Sequence, residues 1–537
     1  MKNIHHCNGE AHKKWNRRSF LQALGFSSLG SMALGSSSVS YAGNSLLSSA
    51  ISATENDNIL LIVRLFGGND GLNTIVPLNQ YDLYANYRPT LRHEESNLWT
   101  LNDDYAMPNF MNGLESMWGD GAMKVVNSVG YDSQSQSHFK GTEIWSAAKD
   151  DNSTNSGWLG RYFQHKYPEY IENPPEIPSA VQIGSRKNIT FDGDDAKYSF
   201  SVSGVNGLQT ILNTGLLYQM EGLPDCSKGN KLQFLRGMFN STYSHADTIY
   251  QAYNASSDYT GGVGYNLSDA EDDFAATLSV VSRLIKGNLG TKVYTLTING
   301  FDTHSTQANT HQALLTYLAD AINYFYEDLR QAGYADKVMT MVVSEFGRRV
   351  RENGSLGTDH GIAGPIMFFG DALDGNGFIG EHSSLDEDKL MRNRDLQWHT
   401  DFKQVYATVL KDWLGVDETI VDTVVLDKSY EALPIFEEKT LSNESFINKV
   451  SPFSTTTYYD ADHNTYIKIN NRLTQHVVIQ LYDLGGRQLG EVVNTVLPAG
   501  MHQFDIKRKL NIDLSRGYYI YKVISNSYQT SKKLMIV

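Results

Sequence analysis

The sequence predicts an α/β protein, with a doubly wound, mostly parallel sheet followed by a small all-β sandwich domain. Three observations predict this fold. Short apolar runs without polar alternation end at glycine or polar residues, as strands buried on both faces of a sheet do. Between these runs, apolar residues recur at three- and four-residue spacing, which indicates helices that pack on the sheet. The C-terminal segment instead alternates apolar and polar residues, which is typical of half-buried strands.

Residues 1–42 are predicted to be an export signal and not part of the fold. They contain the basic pair Arg17-Arg18, a moderately apolar stretch over 21–34 and small residues at 40–42 for a signal peptidase. This pattern resembles a twin-arginine signal, which implies the twin-arginine translocase as a partner. The alternative is a disordered basic tail. The stretch is too short and too rich in Gly and Ser for a transmembrane anchor, and residues 43–57 are expected to be a linker.

Residues 58–440 carry the α/β pattern. Five apolar runs predict strands, at 59–66, 123–129, 293–298, 338–343 and 366–369. The apolar stripe within 311–332 predicts a helix, and Thr400 or Asp401 can cap another helix that ends at Gly415. The less regular segment 165–260 is rich in Asn, Ser, Gly and Tyr and is predicted to be an insertion over the functional site.

The C-terminal part changes character. Residues 441–464 are dominated by Ser, Thr, Asn and Asp and are predicted to be a linker. In the segment 465–537, Val477, Ile479 and Leu481 alternate with polar or mixed positions, and turn residues separate several such runs. This predicts a small antiparallel β-sandwich.

The composition of the chain limits which functions and which kinds of metal site are expected. The net charge of -15 argues against non-specific nucleic-acid binding, because the phosphate backbone would be repelled. The chain has 2 cysteines, and Cys7 lies in the predicted signal, so Cys226 alone remains in the mature chain. A thiolate metal cluster is excluded, and any metal must be held by histidines and carboxylates.

Such residues follow the predicted strands. In an open parallel sheet, ligands collect beyond the carboxyl ends of the strands. The candidate metal ligands at these ends or in the loop before the fifth strand are Asp70, Asp302, His304, Glu345, Asp359 and His360. Their oxygen and nitrogen atoms suit Zn, Mn, Mg or Ca. Taken singly, each Asp can be a turn residue, each His a surface residue and the Glu a solvated side chain. For the set as a whole, the alternative is a polar crevice without metal.

A second cluster follows the second predicted strand. Ser137 precedes a predicted helix, where backbone N–H groups attract an anion. It can act as a metal-activated nucleophile with His138 beside it, which makes these two the candidate catalytic residues. Capping of the helix by Ser135 or Ser137 is an equally strong alternative.

Several motifs resemble those of a large family of twin-arginine-exported bacterial proteins of unknown function, itself similar to the alkaline phosphatase and sulfatase superfamily. They are Gly-Gly-Asn-Asp-Gly-Leu-Asn-Thr at 67–74, Ser-His-Phe at 137–139, Gly-Trp-Leu-Gly-Arg at 157–161, Gly-Phe-Asp-Thr-His at 300–304, Ser-Glu-Phe-Gly-Arg at 344–348 and Gly-Thr-Asp-His-Gly at 357–361. The resemblance covers roughly residues 58–420 and implies an alkaline-phosphatase-like fold with divalent metal ions.

The resemblance also implies roles for single residues. Asp70 matches the first-strand metal ligand, Asp302 and His304 match an Asp and a His that hold one metal, and Ser137 is nearest to the nucleophile. His360, with Asp359, falls near the last His ligand. Glu345-Phe346 replaces the usual Asp-His pair, so a second metal loses an imidazole. The Cys-x-Pro-x-Arg pattern of formylglycine sulfatases is absent from the helix start, so that enzyme type is not expected.

The C-terminal domain resembles the type A sorting domain of type IX secretion. The similarity rests on the segments 481–487, 497–500 and 514–523 and on a terminal strand with Lys532 and Lys533. It implies the type IX secretion machinery as a partner and a secreted or cell-surface location. The alternative is an ordinary carbohydrate-binding or immunoglobulin-like module.

The sequence therefore predicts an exported metal-dependent hydrolase of phosphate or sulfate esters, with a small-molecule or glycan ester as substrate. A non-catalytic surface or binding protein on a degenerate alkaline-phosphatase-like fold is the first alternative. A protein needed for surface assembly is the second.

Overall fold

The computed structural model describes residues 56–536 except for gaps at 150–153, 169, 171–174, 185–187, 195, 203–210, 214, 216–217, 220–226, 258–273, 374, 392–393, 437–452, 460–463, 472–473, 484–486, 511, 513 and 526–528. The predicted signal over 1–42 and nearly all of the first predicted linker lie outside the described residues. The chain divides into two compact units, Met1–Glu437 and Glu438–Val537.

The first unit contains both strands and helices. Its strands in chain order are β1 (Ile59–Leu65), β2 (Val76–Pro77), β3 (Leu98–Thr100), β4 (Tyr105–Pro108), β5 (Met123–Gly130), β6 (Ala180–Ile183), β7 (Ser199–Val202), β8 (Val293–Ile298), β9 (Val338–Val343), β10 (Arg348–Glu352), β11 (Thr358–His360), β12 (Gly364–Phe369), β13 (Gly377–Ile379) and β14 (Thr400–Asp401). Its helices include α1 (Tyr81–Tyr87), α2 (Glu115–Gly119), α3 (His138–Ala147), α4 (Trp158–Lys166), α5 (Ser227–Asn254), α6 (Phe274–Lys286), α7 (Gln307–Ala332), α8 (Phe402–Thr408) and α9 (Glu418–Ile420). Within the described part of the chain, no helix combines the length and the apolar character that a membrane crossing requires.

The central sheet is mixed. Its strand order is β13-β5-β12-β9-β1-β8-β6-β7, and β14 also pairs with β5. The strands pair in parallel except for β12, which runs antiparallel to β5 and β9. Residues 344–363, all described, form the hairpin β10–β11 and no helix. Without a helical crossover, the chain re-enters the sheet from the edge at which β9 ends, so the fifth predicted strand departs from the parallel arrangement.

Both faces of the sheet are covered, which explains the continuous apolar runs. On β1, Leu61 and Val63 belong to one hydrophobic cluster, which α6 and α7 share. Leu60 and Ile62 face the opposite way and belong to a second cluster with α4 and α8. The helix predicted within 311–332 is confirmed as α7. The helix predicted to end at Gly415 is α8, continued by a π-helix over Val409–Trp413. The Asp401 carboxylate caps α8 by accepting a hydrogen bond from the backbone N–H of Lys403. Of the two capping residues considered, Asp401 is the one that does so.

The segment 165–260, predicted to be an insertion over the functional site, contains regular elements of the fold. It supplies β6 and β7, which extend the central sheet beyond β8, and most of it after residue 226 forms α5. The apolar run Ala180–Ile183 is completely buried. At four residues it is too short to stand out among its polar flanks, which is why composition alone indicated an irregular segment.

The second unit is an all-β domain with one short helix. Its elements are β15 (Phe453–Tyr459), β16 (Thr465–Asn471), β17 (Gln475–Tyr482), β18 (Gln488–Leu497), β19 (Gly500–Asp505), α10 (Ile506–Leu510), β20 (Gly517–Ser525) and β21 (Gln529–Ile536). The sheets β15-β16-β19 and β18-β17-β20-β21 contribute to one core. The predicted alternation is confirmed, since Val477, Ile479 and Leu481 are all buried.

The N-terminal boundary of this domain differs from the prediction. The segment 441–464, expected to be a linker, contains β15, which pairs with β16 over its full length. The sequence Phe-Ser-Thr-Thr-Thr-Tyr-Tyr is polar by composition, yet Thr, Tyr and Phe favour extended strands. The domain therefore begins by Phe453.

Candidate metal centre

Three loops at one edge of the central sheet bring histidines and carboxylates together. Asp302 and His304 follow the carboxyl end of β8, and His138 opens α3 after β5. His360 ends β11 directly before β12. Because β12 is antiparallel, its beginning lies at the edge where β5 and β8 end, and the three loops meet there.

Glycines allow this close approach. Gly67 follows β1 with a φ of +128°, and a Cβ atom at this position would lie 2.2 Å from the backbone nitrogen of Asp302. A Cβ atom on Gly68 would lie 2.3 Å from the ring of Phe346. The Gly67-Gly68 pair thus lets the loops after β1, β8 and β9 pack against one another.

Three imidazoles converge on Asp302. The Nε2 atom of His138 is 3.2 Å from Oδ2 of Asp302, and the Nε2 atoms of His304 and His360 are each 3.1 Å from Oδ1. The Nε2 atoms of His304 and His360 are 2.9 Å apart. One ligand atom from each of His138, Asp302 and His360 lies within 4.8 Å of the others. We call His138, Asp302, His304 and His360 the metal centre below.

The other ring nitrogen of each histidine is bound to an oxygen of the protein. Nδ1 of His360 lies 2.7 Å from the carbonyl oxygen of Gln136, which only accepts, so Nδ1 carries the proton. Nδ1 of His138 is 2.9 Å from Oε1 of Glu345, and Nδ1 of His304 is 3.4 Å from Oδ1 of Asp359.

With the protons at Nδ1, three Nε2 lone pairs face each other and a carboxylate, which is unfavourable unless a cation lies among them. Three nitrogens and one oxygen, oriented by outer hydrogen bonds, match the donor set of a divalent metal site.

Glu345 and Asp359 lie behind the histidines. Oε1 of Glu345 also accepts a hydrogen bond of 2.9 Å from the backbone N–H of Gly67, and this side chain is 4% exposed. Oδ1 of Asp359 also accepts from Asn353. Both were expected as direct ligands. In the structure Oε1 of Glu345 and Oδ1 of Asp359 accept from Nδ1 of His138 and of His304, so these two carboxylates contact the centre through the histidine rings.

Asp70 does not join the metal centre. Its Oδ2 atom accepts hydrogen bonds from Nη1 of Arg88 at 2.6 Å and from Nε2 of Gln307 at 2.5 Å. Both ionic groups are completely buried. Burial alone would raise the pKa of Asp70, but the adjacent Arg88 guanidinium holds it below its usual value. The expected first-strand ligand is thus neutralised by a guanidinium.

Ser137 directly precedes His138 of the metal centre in the chain. It is exposed, directly precedes α3, and its hydroxyl makes no capping hydrogen bond to the helix. Ser135 instead accepts a hydrogen bond from the backbone N–H of Ser137 through its hydroxyl. The capping interpretation of the Ser137 side chain is therefore not supported.

The electrostatics favour an ionised Asp302. Burial opposes ionisation, but the hydrogen bond from the adjacent Arg348 guanidinium lowers the pKa of Asp302 to about 2. The hydrogen bond to Glu345 raises the pKa of His138, whereas burial lowers that of His360. The centre therefore contains an ionised carboxylate, which pairs with Arg348 on one side and can bind a further cation.

Residues 126–426, more than half of the chain, match the family described as "Protein of unknown function (DUF1501)". This chain belongs to the DUF1501 family. A comparison with curated proteins finds no match.

Solved structures similar to this DUF1501 chain include alkaline phosphatases and sulfatases. A protein of the alkaline phosphatase superfamily from Vibrio parahaemolyticus is 10% identical, with coverage of 86% of this chain and 85% of the other and a TM-score of 0.30. The alkaline phosphatase of the Antarctic bacterium TAB5 is 11% identical, with coverage of 60% and 95% and a TM-score of 0.24. A Bacteroides fragilis protein assigned as a sulfatase is 9% identical, with coverage of 84% and 89% and a TM-score of 0.29. At these scores, no conclusion about the activity of this chain follows from the similarity.

Two residues of the DUF1501 domain that shape the centre had no role in the prediction from sequence. Gln136 acts through its backbone carbonyl, which no side-chain pattern reveals. Arg348 is completely buried and donates to Oδ1 of Asp302 at 2.8 Å and to four backbone carbonyls. The sequence signal for Arg348 was its position as the first residue of a short, mostly polar strand.

Proposed function

We propose that this chain is an exported metal-dependent hydrolase of phosphate or sulfate esters. The observation that carries the proposal is the convergence of three histidine Nε2 atoms on Asp302 while each Nδ1 is bound to a protein oxygen. The motif resemblance to the alkaline phosphatase and sulfatase superfamily supports the substrate class. Among the four metals considered, the histidine-rich donor set favours zinc over manganese, magnesium and calcium.

The residues of the centre divide the chemical work. A divalent ion held there would polarise an oxygen of the ester group as a Lewis acid. Glu345, Asp359 and the Gln136 carbonyl keep the three imidazoles oriented, so little reorganisation accompanies binding. Ser137 is the proposed nucleophile. Attack by its oxygen on phosphorus or sulfur releases the alcohol, which takes up the Ser137 proton, and water then hydrolyses the serine ester.

Elemental analysis tests this proposal. We expect stoichiometric divalent metal in the purified wild type and its loss, together with loss of nitrophenyl phosphate or sulfate hydrolysis, in Asp302→Ala/His304→Ala. The control Asp103→Ala/His165→Ala changes two exposed residues of the same types and should keep both properties. A wild type that takes up no metal after incubation with zinc, manganese, magnesium or calcium would contradict the proposal.

A second candidate function is a non-catalytic ligand-binding protein on the same domain. One observation favours it: Asp70 and Glu345, two of the expected ligands, are occupied by Arg88 and by Gly67 and His138. This function predicts a metal-loaded wild type that binds phosphate or sulfate but turns over no ester, and that Ser137→Ala behaves as the wild type does.

We further propose export by the twin-arginine translocase and the type IX secretion machinery. The basic pair in residues 1–42 and the sorting-domain motifs in 465–537 support these routes. Arg17→Lys/Arg18→Lys should retain the full-length precursor in the cytoplasm. Removal of residues 441–537 should instead leave the α/β domain in the periplasm. Unchanged delivery to the cell surface in either variant would contradict the corresponding route.

A further inference from the structure

Two adjacent arginines at the start of β10 use their guanidinium groups differently. Arg348 is completely buried, and its Nε, Nη1 and Nη2 atoms all donate to carbonyl or carboxylate oxygens around the metal centre. Arg349 is 34% exposed, and its guanidinium makes no hydrogen bond to the described residues. Arg348 is thus held in place by its hydrogen bonds, whereas the guanidinium N–H groups of Arg349 remain available as donors.

Arg349 is held near the metal centre by charge alone. Its Nη1 atom is 3.8 Å from Oδ2 of Asp359, and its Nε atom is 3.6 Å from Oδ1 of Asp395. Both distances are too long for hydrogen bonds. The Nε atom of Arg349 and Oδ1 of Asp395 are buried and have no hydrogen-bond partner in the described structure. A buried polar group without a partner is costly, so this arrangement is suited to gaining one.

Both acidic neighbours of Arg349 connect it to histidines of the centre. Asp359 accepts from Nδ1 of His304. Asp395 accepts from the side chain of Gln136 at 2.9 Å, and the Gln136 carbonyl accepts from Nδ1 of His360. The guanidinium is therefore connected to His304 through one residue, Asp359, and to His360 through two, Asp395 and Gln136.

We propose that Arg349 binds the tetrahedral oxyanion of the substrate, its phosphoryl or sulfuryl group, beside the metal centre. This inference rests on the proposed function for its substrate class. The planar guanidinium can donate two parallel hydrogen bonds to two oxygens of such a group. Asp359 and Asp395 hold the guanidinium in place without using its N–H groups, and the exposed part of the side chain lets an anion approach.

Binding of inorganic phosphate and inorganic sulfate to the full chain tests this inference by calorimetry. We expect Arg349→Gln to raise the Kd for the preferred anion by about 10- to 100-fold, as for loss of a charge-assisted hydrogen-bonded pair. Arg349→Lys, which keeps the charge but not the fork, should lie between this variant and the wild type. The control is Arg351→Gln, on the same strand, since Arg351 is also exposed but its Nη2 atom already donates to Glu387 at 2.9 Å; this variant should bind as the wild type does.

Metal content of the same samples separates this inference from the proposed function. Equal Kd values for Arg349→Gln and the wild type, or no anion binding by the wild type, would overturn the role of Arg349 even if the metal is present. Anion binding that depends on Arg349 in a chain without metal would support the role of Arg349 and contradict the metal-dependent hydrolase.

Discussion

At the scale of single residues, the orientation of each histidine depends on an acceptor behind it. Glu345 is the most buried of these side-chain acceptors and receives two hydrogen bonds at one oxygen, from His138 and from Gly67. An outer acceptor of this kind fixes the ring and strengthens the ligand. We therefore expect Glu345 to influence a bound metal ion through His138.

Glu345→Gln should lower metal affinity without abolishing binding. The amide keeps the shape of the side chain but not its charge, so we expect about a 10- to 100-fold loss of affinity, measured by competition with a chelator. Glu143→Gln on α3 is the control, because Glu143 is exposed and pairs with Lys140. An unchanged affinity in Glu345→Gln would contradict the positioning role.

The buried pair Asp70–Arg88 is predicted to be structural. Arg88→Met leaves a buried carboxylate without its cation and should lower the free energy of unfolding by about 3–5 kcal/mol. Asp70→Asn/Arg88→Met removes both charges and should be less destabilised than the single variant. Denaturation followed by tryptophan fluorescence measures both. A single variant as stable as the wild type would contradict the pairing.

The Asp395 carboxyl makes the stability of the folded state depend on pH. Burial raises the pKa of this carboxyl from 3.8 to about 6, against the opposing effect of Arg349. Because the folded-state pKa is higher than the unfolded one, Asp395 favours the folded state below about pH 4, and this contribution is lost as the pH rises through about 6.

Asp395→Asn removes this titration. At pH 8 the variant should be more stable than the wild type by about 1–3 kcal/mol, reduced by the lost attraction to Arg349, and the gain should vanish near pH 4. Unfolding in denaturant at both pH values, in the presence of a chelator, measures the difference. A gain of equal size at pH 4 would show that Asp395 does not titrate in this range.

At the scale of elements, the connection between β9 and β12 decides the geometry of the centre. A helical crossover there would have made β12 parallel and carried its preceding loop to the opposite edge of the sheet. The hairpin β10–β11 returns the chain directly and places His360 beside His138 and Asp302. The absence of helical periodicity over 344–363 was a signal for this reversal.

The strand β15 predicts where the second unit begins. The hydroxyl of Thr455 is buried and 2.9 Å from that of Tyr521, which links β15 to the opposite sheet. A fragment 465–537 should therefore melt at least about 5 °C below a fragment 441–537, as followed by circular dichroism. A fragment 453–537 is the control and should match the longer one. Equal melting temperatures of all three fragments would show that β15 contributes no stability.

At the scale of the whole molecule, the two units can be followed separately. All 7 tryptophans precede residue 438, so tryptophan fluorescence reports the first unit and not the β-domain. A ligand that binds only the folded state stabilises it by about 2.7 kcal/mol at 100 times its Kd.

Metal removal should consequently destabilise the first unit alone. We expect a chelator to lower the unfolding midpoint seen by tryptophan fluorescence, because the centre then loses the cation among its lone pairs. The isolated fragment 441–537 should be unaffected. Asp302→Ala/His304→Ala should show no further shift with chelator, and a shift in that variant would place the metal elsewhere.

Sequence patterns alone predicted five strands of the central sheet, β1, β5, β8, β9 and β12, and the helices α7 and α8. They also predicted that Asp302, His304 and His360 lie near strand ends. Local information suffices for these features because hydrophobic period reports burial and because the ends of parallel strands share an edge. The alternation in the second unit was determined in the same way.

Which side-chain atoms face the centre could be read only from the three-dimensional structure. The Asp70 carboxylate pairs with Arg88 and does not face the centre. Glu345 and Asp359 contact Nδ1 atoms of histidines. His138, expected to assist Ser137, is a candidate metal ligand. These assignments depend on hydrogen-bond partners far apart in the chain and on backbone carbonyls such as that of Gln136. A residue's type gives the atoms it can offer, but its role follows from which of those atoms other groups already occupy.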